Sequence, residues 1–226
     1  MASANLPIRA NIVSAIQAVG VVAVVRLDDA AAGAEVARAL ADGGVKAIEV
    51  TMTVPNAVRL IADLSATLGD DMIVGAGTVV DAGTAREVIA AGARFVVGPV
   101  FRPAVIDACH DHDVPMMPGC FSPTEILAAW DAGADVIKVF PATALGPTFF
   151  KDIRGPLPHV KLMPTGGVTL ANAGEWIRAG AVAIGAGTSL VDRKAVAERR
   201  FDAIRDAAIQ FVSAVRDARA GAAVKA

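Results

Sequence analysis

What most constrains this chain is a regular alternation: short runs rich in Val and Ile are separated by Ala-rich stretches of helical character along nearly all of its 226 residues. The runs fall at 21–26, 46–52, 72–75, 94–98, 114–118, 135–140, 160–164 and 181–185. Runs this short and apolar read as strands buried on both faces, and a helix between successive strands makes each connection a parallel crossover. Such crossovers are right-handed, and eight of them have a well-known closed solution, the (β/α)8 or TIM barrel. The pattern therefore predicts an α/β chain, one (β/α)8 barrel domain over residues 1–226 with a short helix before the first strand. An open doubly wound sheet is the alternative.

The helical stretches carry their own punctuation. Ala57, Ile61, Leu64 and Leu68 recur at helical spacing and give one apolar face. Ser122-Pro123-Thr124-Glu125 is a capping box with proline at the first helical position. Four helices end in similar phrases: Ala41-Asp42-Gly43-Gly44-Val45, Ala90-Ala91-Gly92-Ala93-Arg94, Asp131-Ala132-Gly133-Ala134-Asp135 and Arg178-Ala179-Gly180-Ala181-Val182. Each puts Gly where a helix end favours a left-handed residue, just before a run. Gly44, Gly92, Gly133 and Gly180 stand 48, 41 and 47 residues apart and precede every second run, as a repeated (βα)2 unit would. Ala-Gly helix ends are common in Ala-rich α/β proteins, so the repeat bears on fold and not on chemistry. After Asp192 one last helix is expected to about Arg219, with Gly221 to Ala226 frayed.

Composition removes several classes of function. Twenty-one Lys and Arg against 23 Asp and Glu give a formal charge of −2, scattered along the chain, so no basic stripe for nucleic acid is present. The mean hydropathy of +0.53 comes from Ala and Val spread between charges, and no membrane span is expected. The stretch from Arg9 to Val25 faintly imitates a signal peptide, but Asn11, Ser14 and Gln17 interrupt its apolar core, which favours a short helix leading into the first strand. Cys109 and Cys120 are the only cysteines, too few for a secreted disulfide scaffold, and a reducing cytoplasm fits best.

Charges near the C-terminal ends of barrel strands point toward the customary active-site mouth. That filter retains Arg26, Glu49 with Thr51 and Thr53, Thr78 and Lys138, and rejects Lys46 and Lys161, which begin their runs. Lys138 lies in the apolar run Val136-Ile137-Lys138-Val139-Phe140-Pro141. A buried ammonium must be paired or give up its proton, and a lysine that gives it up attacks carbonyls to form a Schiff base. Glu49, on another strand, is positioned to serve such an imine as acid/base, or else simply to pair with Lys138. Pro164-Thr165-Gly166-Gly167-Val168 and Gly185-Ala186-Gly187-Thr188-Ser189 follow the seventh and eighth runs. There this fold often binds phosphate through backbone N–H groups, although each loop also reads as a tight turn. Gly75-Ala76-Gly77-Thr78 is a third small-residue loop, whose Thr78 hydroxyl either faces a carboxylate or carbonyl or merely closes the turn. His110-Asp111-His112-Asp113 has metal-binding composition but falls at the opposite end, where a polar surface turn is expected.

With these residues in view, the chain resembles the 2-keto-3-deoxy-6-phosphogluconate (KDPG) and 4-hydroxy-2-oxoglutarate (KHG) aldolases. The resemblance rests on Glu49-Val50-Thr51, Gly75-Ala76-Gly77-Thr78, Pro118-Gly119, Lys138-Val139-Phe140-Pro141-Ala142 and Pro164-Thr165-Gly166-Gly167, and covers roughly residues 12 to 215. It implies a class I aldolase with Lys138 as the Schiff-base lysine and Glu49 as general acid/base. The protonated imine withdraws the electrons, so no metal or other cofactor is expected. It implies a phosphate site at Thr165, Gly166, Gly167, Gly187 and Thr188, with Ser189 as the alternative hydroxyl. Thr78 and Pro99 fall on the pyruvate-carboxylate side and Phe140 beside the imine. The partners implied are a phosphorylated keto acid, pyruvate and further copies of the chain in a homotrimer.

One departure matters. Many members read Glu-Val-Thr-Leu-Arg on the second strand, whereas here the fifth position is Thr53 and an arginine, Arg26, ends the first strand instead. Sister enzymes acting on the phosphogalactonate epimer share that arginine. Arg26 is therefore expected to supply the substrate anchor that Thr53 lacks, and the preferred epimer stays open. A phosphosugar isomerase or epimerase using Glu49 as base, or a non-catalytic phosphate-binding barrel, are other readings of the same residues.

Overall fold

The apolar runs become parallel strands because both of their faces are covered. A computed structural model describes residues 8–28 and 30–223; residues 1–7 and 224–226, which belong to the expected domain and frayed terminus, lie outside the described residues, as does residue 29. The order is α1 (Ile8–Val19), β1 (Val21–Val25), α2 (Gly33–Asp42), β2 (Ala47–Thr51), α3 (Ala57–Leu68), β3 (Ile73–Gly77), α4 (Ala82–Ala90), β4 (Val96–Val97) and α5 (Pro103–His110). Then come β5 (Met116–Met117), β6 (Gly119–Cys120), α6 (Pro123–Asp131), β7 (Ile137–Val139), α7 (Gly146–Arg154), β8 (Leu162–Pro164), α8 (Leu170–Arg178), β9 (Ile184–Ala186), α9 (Arg193–Ala197) and α10 (Phe201–Ala223).

All ladders are parallel, in the orders β5-β4-β3-β2-β1-β9 and β6-β7-β8. The fifth run, expected to stop at Pro118, continues to Cys120 and is split in two. Pro118 has no N–H to extend the ladder, so β5 pairs with β4 and β6 with β7. The result is an α/β fold around a curled parallel sheet.

Strand alternation sorts the core into two parts. Val22, Ala47, Ile73, Val136, Met163 and Ala183 gather inside the curl against Ile12, Val13 and Ile16 of α1, whereas Ile48, Val50, Ile137 and Val139 face the helices. Helix α1 thus covers the end at which the strands begin. The same parity turns Glu49, two residues beyond Ala47, and Lys138, two beyond Val136, to the inner side near the strand ends.

The repeated helix ends are built as their glycines require. Gly44, Gly92, Gly133 and Gly180 have φ of 88°, 102°, 94° and 102°, and the next residue's N–H returns to the helix in each, as Val45 N does to Leu40 O at 3.0 Å and Ala181 N to Trp176 O at 3.0 Å. The capping box forms, with Ser122 N donating to Glu125 Oε2 at 2.8 Å and Glu125 N to Ser122 Oγ at 3.3 Å. The backbone N–H groups of Phe121 and Ser122 hold the Glu125 carboxyl below its usual range.

The single last helix expected after Asp192 is two helices. Asp192 caps α9 by accepting from Ala195 N at 2.7 Å. Arg199 then takes a left-handed conformation at φ 54° while Arg200 N bonds back to Ala195 O at 2.8 Å, which ends α9 and starts a new direction. Helix α10 runs past Arg219 to Ala223. Arg219 clasps it to α1, donating to Ala18 O and Gln17 O at 2.7 Å each and to Val182 O at 3.0 Å.

Candidate active site

Strands β2 and β7 bring a carboxylate and an ammonium together inside the curl. Glu49 is fully buried and Lys138 is 3% exposed, and Lys138 Nζ lies 3.8 Å from Glu49 Oε1. That separation is an ion pair rather than a direct hydrogen bond. Neither carboxylate oxygen of Glu49 accepts a hydrogen bond from the described residues. An ionised carboxylate buried in this state is costly, and the protein bears that cost at the point where chemistry is expected. Lys138 Nζ also stands 5.1 Å from the centre of the Phe140 ring, whose face favours a cation.

The room for Glu49 comes from Gly77, which pairs with Thr51 in the β2–β3 ladder. A Cβ on Gly77 would collide with Glu49 Oε1 and approach its Cγ and Cδ to 2.6 Å. The sequence showed Gly77 only as part of a small-residue loop; its role in seating the carboxylate depends on register. Thr78 follows with φ 64°, a left-handed conformation that costs a β-branched residue about 1–3 kcal/mol. Thr51 Oγ1 lies 2.7 Å from Thr53 Oγ1 and 3.2 Å from Val25 O, to which it donates, so the two threonines form a polar clasp across the ends of β1 and β2.

A cavity of about 200 Å³ collects the glycine-rich ends of β8 and β9. Arg26, Phe140, Thr165, Gly166, Gly167, Gly187 and Thr188 all line it. Gly166 and Gly167 have φ of 91° and 72°, conformations that let backbone rather than side chains face the space. Thr165 is 4% exposed with an unpartnered Oγ1. Thr188 and Ser189 are both exposed, and Ser189 Oγ holds the loop by donating to Val168 O at 2.7 Å. A second cavity contains Pro99, Gly119, Cys120 and Phe140. Thr53 and Thr78 line neither of these two. Arg26 therefore stands with the glycine loops, and a Cβ on Gly187 would lie 3.4 Å from its Nη1.

The remaining reactive side chains are occupied or shielded. His110 Nε2 pairs with Asp135 Oδ2 at 3.2 Å, and Asp135 also takes Arg9 Nε at 3.1 Å and Met116 N at 3.0 Å. Among the described residues no three His, Cys, Asp or Glu side chains gather as metal ligands. Cys120 is buried, its thiol pushed up to about 12 by burial and by the charge of Glu125. No helix of the described residues is long and apolar enough to cross a membrane.

Comparison with known proteins places this geometry. A profile of the KDPG and KHG aldolases matches residues 12–207. The chain is 36% identical over 195 residues to the 2-dehydro-3-deoxy-phosphogluconate aldolase of Treponema pallidum, covering 86% of this chain and 92% of that one. It is 32% identical over 181 residues to the 2-dehydro-3-deoxy-6-phosphogalactonate aldolase of Escherichia coli, covering 80% and 86%. The KDPG aldolase of Legionella pneumophila, solved with pyruvate captured at low pH as a covalent carbinolamine intermediate, aligns with a TM-score of 0.82 at 30% identity over 87% of this chain and 96% of that one. With the family profile and these relatives covering most of its length, the chain belongs to the KDPG and KHG aldolase family and is a carbon–carbon lyase.

Proposed function

We propose that this aldolase cleaves 2-keto-3-deoxy-6-phosphogluconate reversibly into pyruvate and glyceraldehyde 3-phosphate through a Schiff base on Lys138. The observation that carries the reading is the buried Lys138–Glu49 pair, in which a carboxylate without protein hydrogen bonds faces the only lysine inside the curl among the described residues. Lys138 passes a proton to Glu49 and its neutral amine attacks the C2 ketone. Glu49 returns the proton to the carbinolamine oxygen, which leaves as water and yields a protonated imine. Glu49, ionised again, takes the C4 hydroxyl proton as the C3–C4 bond breaks, releasing the aldehyde, and the bonding electrons move into the iminium to form an enamine. Protonation of the enamine at C3 and hydrolysis free pyruvate and regenerate Lys138. The Phe140 face beside Nζ favours the cationic imine over its neutral precursors.

The backbone and hydroxyl groups of Thr165, Gly166, Gly167, Gly187 and Thr188, with Arg26 beside them, suit the terminal phosphate. A phosphate-free 4-hydroxy-2-oxoglutarate would use the same lysine, giving pyruvate and glyoxylate, and leave that cradle unused. The phosphogalactonate epimer is the second reading, favoured by Thr53 just past β2 with Arg26 just past β1. Closure of the curled sheet into one (β/α)8 barrel over the whole chain is supported at both ladder ends. Lys138 N bonds Pro118 O at 3.0 Å where β5 and β6 meet, and Thr165 bridges Gly185 between β8 and β9. A homotrimer is supported by exposed Val80, Val100, Phe121 and Leu127. Light scattering of the wild type and Phe121→Glu reads that state: a monomeric wild type refutes it.

Incubation with pyruvate and borohydride, digestion and mass mapping test the chemistry. The adduct is expected on Lys138; label on Lys46 or Lys161, or none, refutes the assignment, and absence of any adduct is what an isomerase would give. Parallel assays with both epimeric phosphosugar acids decide the substrate.

A further inference from the structure

A third cavity, of about 290 Å³, adjoins the phosphate cradle between the loop after β1 and helix α9. Three arginines, Arg26, Arg193 and Arg199, line it with apolar Leu27 and Val196, and Asp28 is the described acidic residue on its wall. Arg26 lines both this cavity and the cradle, so the two spaces are neighbours across one side chain. Arg199 is held in place, bonded to Glu35 Oε1 at 3.0 Å with its guanidinium 5.4 Å from the Phe201 ring centre. Arg26 and Arg193 have no ion pair among the described residues. With Arg199 paired to Glu35, the guanidiniums without an ion pair beside this partly apolar space are those of Arg26 and Arg193, and an anion bound between them relieves their mutual repulsion. Guanidinium forks offer paired N–H donors that suit phosphoryl oxygens, and the shared Arg26 makes a phosphoryl group linked to one in the cradle the anion within reach.

We infer that the arginine cavity is a second anion subsite, continuous with the cradle through Arg26, so that the enzyme accepts ligands carrying two or more linked phosphoryl groups. The inference rests on the cradle reading above. One phosphoryl group sits at Gly166, Gly167 and Gly187, and the next passes Arg26 to reach Arg193 and Arg199. Such a ligand competes with the phosphorylated substrate without touching Lys138, which makes it an inhibitor recognised by charge and spacing.

The test compares inorganic phosphate with tripolyphosphate as inhibitors of aldol cleavage by the full chain, at fixed ionic strength, following pyruvate release. Tripolyphosphate is expected to bind at least about tenfold more tightly than phosphate, the gain from one or two added charged contacts. Arg193→Gln should cut that advantage to about threefold, and Arg193→Gln with Arg199→Gln should abolish it. Lys194→Gln, a neighbouring exposed charge outside the cavity, should leave it intact. A wild-type advantage below threefold, an advantage undiminished in Arg193→Gln, or an equal loss in Lys194→Gln overturns the subsite. If neither anion competes with the phosphorylated substrate while pyruvate still traps on Lys138, the cradle reading fails and the subsite falls with it.

Discussion

Gly77→Ala separates the seat of the carboxylate from the stability of the sheet. Gly77 lies in β3 opposite Thr51 with no positive φ, so its backbone suits alanine and the added methyl acts through volume alone. To move Glu49 Cγ and Cδ from 2.6 Å to an ordinary contact of 3.4 Å, the side chain must retreat by about 0.8 Å, and Oε1, which lies nearer still, by more than that. Glu49 is fully buried, and its Cγ must move together with its carboxylate. The folding penalty is therefore that of ordinary overpacking, about 1–3 kcal/mol, partly offset by about 0.4–1 kcal/mol from the loss of glycine's freedom in the unfolded chain. Catalysis is less forgiving. A displacement near 1 Å of a proton-transfer group costs on the order of 10²-fold, equivalent to about 2.7 kcal/mol of barrier. Glu49→Gln, which keeps the volume but loses the proton transfer, should slow turnover by about 10²–10⁴. Thermal melting and kcat/KM for pyruvate release, measured on both variants, decide the matter. A Gly77→Ala enzyme within threefold of wild type would show that Glu49 is not held as described or is not needed.

Other perturbations probe different parts of the molecule. Gly166→Asp places bulk and a like charge in the cradle, so KM for phosphorylated substrate should rise strongly while cleavage of 4-hydroxy-2-oxoglutarate falls much less; equal losses would move the phosphate elsewhere. Burial and the Asp135 charge push the Cys109 thiol from 9.0 up to about 12, so its neutral form stabilises the fold in full below about pH 9 and that contribution is lost as pH rises toward 12. Cys109→Ala should therefore flatten the fall in Tm between pH 9 and 11, and an unchanged slope would refute the linkage. Arg219→Ala removes three donors that join α10 to α1 and to Val182 ahead of β9, and should destabilise the fold by about 1–3 kcal/mol, seen as a Tm lower by several degrees. An unchanged Tm would mean that the clasp is replaced by water at no cost.

The fold was legible wherever one residue type has one job. Runs buried on both faces, glycines at four helix ends and the Ser122–Glu125 box each report a local requirement that does not depend on the partner strand. Three features were hidden because they depend on register or on competition between local structures. Pro118 splits a run that reads as continuous, because the cost of a missing N–H appears only when two neighbours compete to pair with the same strand. The break between α9 and α10 falls at Arg199, whose left-handed conformation has no signature in residue type. Gly77 reads as turn chemistry, and only the pairing of Thr51 with Gly77 shows that its missing Cβ is where Glu49 sits.

Arg26 is the residue at which sequence and structure part most usefully. The absence of an arginine at position 53 suggested that Arg26 serves the same end of the substrate from the next strand. Thr51 and Thr53 instead satisfy each other, with Thr51 also donating to Val25 O, so the end of β2 is closed by hydroxyls. Arg26, one residue beyond that carbonyl, lines the glycine loops of β8 and β9 and the arginine cavity adjoining them. An arginine just past β1 instead of just past β2 stands beside the glycine loops, which on the reading proposed above is the phosphate end. Binding energy gained at a remote phosphate acts on both epimers alike, since the phosphate is distant from the centre at which they differ. Discrimination between gluconate and galactonate substrates must then come from short-range groups at the reacting carbons.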